Sequence, residues 1–147
     1  PTGRNVNLVI NVRGLNRKEI EAHRPESWGG GLITTRGIQA GTAPRSSHGM
    51  MIARNVLDIA PEATLFDVPL IPEHISRPNV FASDAEVRLD ALIRKIQERN
   101  AKSGRQAAWI LVNAWGVFDR STESPLGNYT TNRDHSLNRT VARGRPV

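Results

Sequence analysis

The apolar residues of the chain fall into separated runs with different rhythms. Val6-Asn7-Leu8-Val9-Ile10-Asn11-Val12 is rich in β-branched residues, nearly continuous, and ends at Arg13-Gly14. It predicts a buried strand followed by a turn. Residues 24–46 contain Pro25, Gly29-Gly30-Gly31, Gly37, Gly41 and Pro44, and predict a loop with a short strand at Leu32–Thr35. Ser46-Ser47 then precede a run in which Met51, Ile52, Val56 and Leu57 are apolar and which Pro61 stops. A serine N-cap and a proline stop predict a helix over 47–59. Ala63 to Leu70 reads as the next strand, followed by a connection containing Pro69, Pro72 and Pro78. Ser83-Asp84-Ala85-Glu86 has the form of a capping box. Behind it Ala85, Leu89, Leu92, Ile93 and Ile96 form one apolar stripe, which predicts a helix over 84–101 closed by Asn100 and Gly104. Ala107 to Asn113 is apolar without polar alternation, the pattern of a strand covered on both faces. A polar loop follows, and His135 to Ala142 begins a further helix.

Strand, helix, strand, helix, strand is the signature of an α/β fold, a parallel β-sheet flanked by helices. At 147 residues the chain is one domain, residues 1–147. Ligands of such sheets sit at the carboxyl ends of the strands. Here those places are Asn11–Gly14, Val68–Ile71 and Asn113–Gly116.

Composition narrows the chemistry. Without cysteine there is no disulfide, thiolate metal site or cysteine nucleophile. No His-x-x-x-His pair or paired-carboxylate motif is present, so no metal site is expected. No acidic loop is dense enough for calcium. Gly29-Gly30-Gly31 has no lysine after it and reads as a flexible loop, not a phosphate cradle. No apolar run is long enough to span a membrane, and no leader is visible. Localisation stays open, a processed secreted or periplasmic product being compatible. Lys+Arg number 20 against 14 Asp+Glu, giving net charge +6. That excess makes nucleic acid a partner to weigh. The arginines are scattered, however, and cluster tightly only at Arg139, Arg143 and Arg145. They read as solvated surface, and nucleic acid is not expected as a partner.

Three of the histidines, His23, His74 and His135, stand in loop-like or polar contexts. His48 differs: it falls in the first turn of the predicted helix, before Gly49 and behind a Gly- and Ser-rich loop. The positive end of a helix disfavours a second positive charge, which suits a neutral base. Gly49 leaves room for close backbone approach.

The segment Ser47-His48-Gly49-Met50-Met51-Ile52-Ala53-Arg54-Asn55-Val56, followed by Ile59-Ala60-Pro61-Glu62-Ala63-Thr64-Leu65-Phe66-Asp67-Val68, resembles the histidine box of subtilisin-like serine peptidases. Ile110 to Gly116 resembles the strand of that family that borders the substrate cleft. The resemblance implies the N-terminal part of a peptidase domain, with His48 as general base. It also implies a polypeptide substrate lying along Asn113, Ala114, Trp115 and Gly116, and no cofactor.

The departures from the family pattern are specific. Val12, with Asn11 beside it, stands where the catalytic Asp is usual; Trp115 replaces the cleft serine, and Met50 a threonine. The nucleophile box and the oxyanion Asn are not in the chain, so the resemblance implies a serine supplied by a separate segment or chain. The alternatives are a non-catalytic peptide-binding relative and a basic α/β module that binds nucleic acid.

Overall fold

In the computed structural model, which describes residues 2–33, 38–71, 78–104 and 107–115, strands and helices alternate along the chain. The elements are β1 (Val6–Ile10), α1 (Arg17–His23), a 3-10 turn at Pro25–Ser27, β2 (Trp28–Gly31), α2 (His48–Ile59), β3 (Thr64–Asp67), α3 (Pro78–Ser103) and β4 (Ala108–Val112). The four strands form one sheet in the order β2-β3-β1-β4. Every pairing in it is parallel. This is an α/β fold, a parallel sheet flanked by helices.

Alternation along β1 divides the core. Leu8, Ile10 and Val12 pack with Leu15, Ile20, Met50, Ala53, Leu57, Ala63 and Leu65, on the face carrying α1 and α2. Val9 faces the other way and joins Phe66, Val68, Leu89, Leu92 and Ile96, on the face carrying α3. A strand in the middle of a parallel sheet buries both faces, which is why its sequence is apolar at consecutive positions. On the α3 face, Arg99 stacks over the Phe66 ring at 5.1 Å, and Trp109 donates to Asn100 Oδ1 at 2.9 Å.

The predicted elements at 6–12, 47–59, 63–70 and 107–113 are present with shorter bounds. Three expectations are corrected. The glycine run read as a flexible loop is strand β2, paired with β3. Gly29 is required by what lies against it, because a Cβ there would sit 2.6 Å from the Phe66 ring. Of the strand expected at Leu32–Thr35, Leu32 and Ile33 form a bend just past β2, and residues 34–37 lie outside the described residues. The capping box at Ser83 is overrun: α3 starts earlier, at Pro78, whose fixed φ suits a first helical turn. Asp84 instead pairs with Arg88 one turn on, at 3.3 Å. The strand expected to be covered on both faces, β4, lies at the sheet edge, with Ile110 49% exposed.

Helix α1 was not foreseen. Its signal is local: Asn16 Oδ1 accepts from Glu19 N at 2.9 Å, a side-chain cap, while Ile20 alone of its residues is buried. One buried position is too few to show a helical period. The helix predicted from His135 lies outside the described residues. Among the described residues no helix is long and apolar enough to cross a membrane.

Candidate functional site

Helix α2 begins where the sequence placed it. Ser47 is its N-cap, the hydroxyl accepting from Met50 N at 3.2 Å and donating to Gly14 O at 3.1 Å. These two bonds join the helix start to the turn after β1. Gly49 completes the joint. A Cβ there would overlap the Gly14 carbonyl oxygen and lie 3.1 Å from Val12 Cγ2, so only glycine lets the helix seat this closely. His48, between Ser47 and Gly49, is therefore held at the carboxyl end of β1, with its ring exposed.

Two more strand ends border this point. Beyond β3, Leu70 N and Ile71 N both donate to Val12 O, at 2.8 and 3.1 Å. Beyond β4, Asn113 Oδ1 accepts from Asn11 Nδ2 at 2.7 Å. Ala114 and Trp115 pack against the cluster that contains Val12, Met50 and Ala53. The structure thus brings Asn113, Ala114 and Trp115 to the same edge of the sheet as His48; Gly116 lies outside the described residues. His74 and His135 also lie outside them, and His23 ends α1.

Of the two residues at the position expected to orient a base, Asn11 and Val12, only Val12 touches the helix start. Its side chain is fully buried and apolar, so it offers His48 no hydrogen bond and no charge. Asn11 is buried too and is engaged with Asn113, its own Oδ1 accepting no hydrogen bond among the described residues.

Sequence reasoning missed Asp67. This carboxylate closes β3 and is fully buried. Its Oδ2 accepts from Leu15 N at 3.0 Å and Gly41 N at 2.7 Å. Burial pushes its pKa up to about 6, against the opposing pull of those two N–H groups. The signal in the sequence was a lone acid between Leu65-Phe66 and Val68, inside a strand that is otherwise apolar. An acid in a buried strand has a partner or a role.

The positive charge is dispersed in the structure as in the sequence. Arg4 pairs with Glu62 and Arg17 with Glu21, while Arg45 and Arg54 both meet Glu19 at 3.0 Å. The hydrogen bond from Arg54, with the charges of Arg45 and Arg54, holds Glu19 below the usual carboxylate range. Arg88 and Arg94 are likewise paired, with Asp84 and Asp90. Among the described residues no group of three His, Asp or Glu side chains is placed to hold a metal. In comparisons with known proteins, no family model and no curated protein sequence matches the chain.

Proposed function

We propose that this chain carries the base-bearing part of a serine peptidase site of the subtilisin-like kind. His48 is the general base and the serine comes from a segment outside the chain. The observation that supports this most is the seating of His48-Gly49: a histidine on the first residue of a helix, locked by Ser47 and Gly49 onto the carboxyl end of the central strand. A base held at that edge is within the zone where α/β sheets bind ligands. In the reaction, His48 takes the proton of the serine hydroxyl as it attacks the peptide carbonyl, then gives it to the leaving amine. The backbone of Asn113 to Trp115, just past β4, is the rail along which an extended peptide lies. Among the described residues strand β4 has one partner only, β1, and no described element covers its outer edge. That leaves a place for the sheet to continue with the segment that brings the serine.

A second reading has its own support. Val12 gives the imidazolium no negative partner, and loss of that carboxylate alone lowers kcat by about 10⁴ in a complete triad. A domain of this kind binds peptides better than it cuts them. The pairing of arginines with carboxylates gives a nucleic-acid role less support, since unpaired cations are what a phosphate backbone requires.

Labelling with a serine-directed fluorophosphonate separates these readings. The 147-residue chain is expected to take no label, and a longer product is expected to take it slowly. A longer product that binds peptides but never labels points to the second reading. Stoichiometric labelling of this chain refutes the first, because the nucleophile would then lie within it.

A further inference from the structure

We propose that Asp67 is a positioning residue: its carboxylate ties together the two loops that seat His48, through two backbone N–H bonds that weaken when it takes up a proton. The inference is independent of what the site does to a peptide.

The two loops are the turn after β1, residues 11–16, and the segment 38–47 that leads into α2. They lie side by side as a short antiparallel ladder. Ala43 N donates to Leu15 O at 3.0 Å and Arg17 N to Gly41 O at 2.9 Å. Asn16 Nδ2 adds a bond to Ala43 O at 2.7 Å. One carboxylate oxygen, Asp67 Oδ2, sits beneath this ladder and accepts a backbone N–H from each side, Leu15 and Gly41. From Leu15 the connection to the base is short. The preceding residue, Gly14, receives the Ser47 hydroxyl, and Ser47 precedes His48. From the other side, Gly41 leads through Ala43 and the Pro44–Ser47 turn to the same serine.

The geometry around Gly14 shows why the strut is tight. With φ at +99°, Gly14 adopts a backbone that other residues rarely take, and a Cβ there would lie 3.3 Å from both Ala43 and Pro69. Neither loop can shift without moving the other. Among the described residues Asp67 is the one acid in this contact, and no described cation pairs with it. Among the described residues, Arg13, Lys18 and His48 are exposed, Arg17 is held by Glu21, and Arg45 and Arg54 by Glu19. The other carboxylate oxygen, Oδ1, is buried and accepts nothing among the described residues. An amide or hydroxyl would have met the same two N–H groups without a buried charge. A carboxylate does something they cannot: its bonds are charge-assisted, roughly twice as strong as neutral ones, and weaken on protonation. The free Oδ1 is the atom that receives the proton, leaving Oδ2 as a neutral carbonyl oxygen. The raised pKa of Asp67 puts that event in mildly acidic solution.

The test is an amide NMR titration of the full chain, in a His48→Gln background so that the imidazole contributes no step of its own. From about pH 8 to about pH 4, the Leu15 and Gly41 amides are expected to move upfield together, with a midpoint near 6. The Met50 amide, which donates to Ser47 Oγ at the helix start, is expected to follow with the same midpoint. Adding Asp67→Asn is expected to flatten all three. The titration without this second substitution suffices if that variant does not fold. Absence of a common step at Leu15 and Gly41 overturns the proposal. So does a Met50 amide that stays still while those two move, because the strut would then stop short of the helix. A step that persists in Asp67→Asn overturns it as well.

Discussion

Replacing Gly49 by alanine tests the joint that holds His48. Alanine is the better helix former by about 1 kcal/mol, so on propensity alone the variant gains stability. The structure predicts the opposite. The new methyl would overlap Gly14 O, lie 3.0 Å from Gly14 C, and lie 3.1 Å from Val12 Cγ2. Neither neighbour can yield easily. Gly14 is backbone wedged against Ala43 and Pro69, and Val12 is fully buried. The start of α2 must therefore lift by roughly an ångström. That lengthens the bond from Ser47 to Gly14 O, now 3.1 Å. Overpacking of this kind costs about 1–3 kcal/mol, and the weakened junction adds about 1 kcal/mol. Set against the propensity gain, Gly49→Ala is expected to be destabilised by about 1–3 kcal/mol, lowering Tm by roughly 3–10 °C for a chain of this size. Urea melts followed by circular dichroism measure it. Asn55→Ala, at an exposed position of the same helix, serves as a control that gains a few tenths of a kcal/mol. If Gly49→Ala proves as stable as that control, the helix is not seated on Gly14 and the site geometry is wrong.

Two further outcomes follow from buried groups. The raised pKa of Asp67, about 6 against an ordinary 3.8, means that the folded chain holds this proton more tightly than the unfolded one. Below the lower value both states are protonated and Asp67 has no effect on stability; through the interval between the two values folding loses about 3 kcal/mol as pH rises, and above it the loss is complete. The stability of Asp67→Asn relative to wild type is thus expected to climb by about 3 kcal/mol across that window, and parallel denaturation curves over the window refute the burial argument. For Val12→Asp, an acid beside the helix start is expected to couple to His48. In a double-mutant cycle, His48→Gln should then cost about 1–3 kcal/mol more in the Val12→Asp background than in wild type, and zero coupling shows that position 12 does not face the histidine.

The parts legible in the sequence were those written in nearest neighbours. The Ser47 cap, the stop at Pro61 and the stripe from Ala85 to Ile96 are local signals, and α2 and most of α3 follow from them. His48 at the start of a helix was legible for the same reason. What remained hidden depends on partners distant in sequence. Nothing near Gly29 indicates that Phe66 will lie on it, so a strand looked like a loop. Nothing near Ala108 says that, among the described strands, β4 will have a neighbour on one side only, so an edge looked like an interior. Asp67 was hidden as a functional group because both its donors are backbone N–H groups, and those leave no trace in residue identity. The capping box at Ser83 shows the reverse failure, a valid local signal outweighed when the helix extends back to Pro78.

The order of the strands also bears on how the chain acquires its fold. Strand β1 precedes its partners in sequence yet lies between them, with Asn7 opposite Thr64 and Val6 opposite Ala108. During synthesis the Val6–Ile10 segment stays unpaired until Thr64–Asp67 has emerged, and gains its second partner only when Ala108–Val112 has. Pairings this remote in sequence close large loops before they return any contact energy, and sheets built from them fold slowly. Meanwhile an apolar, β-branched segment stands open to association with other chains. Refolding yield is therefore expected to fall with protein concentration, and chaperones that shield short apolar segments to raise it.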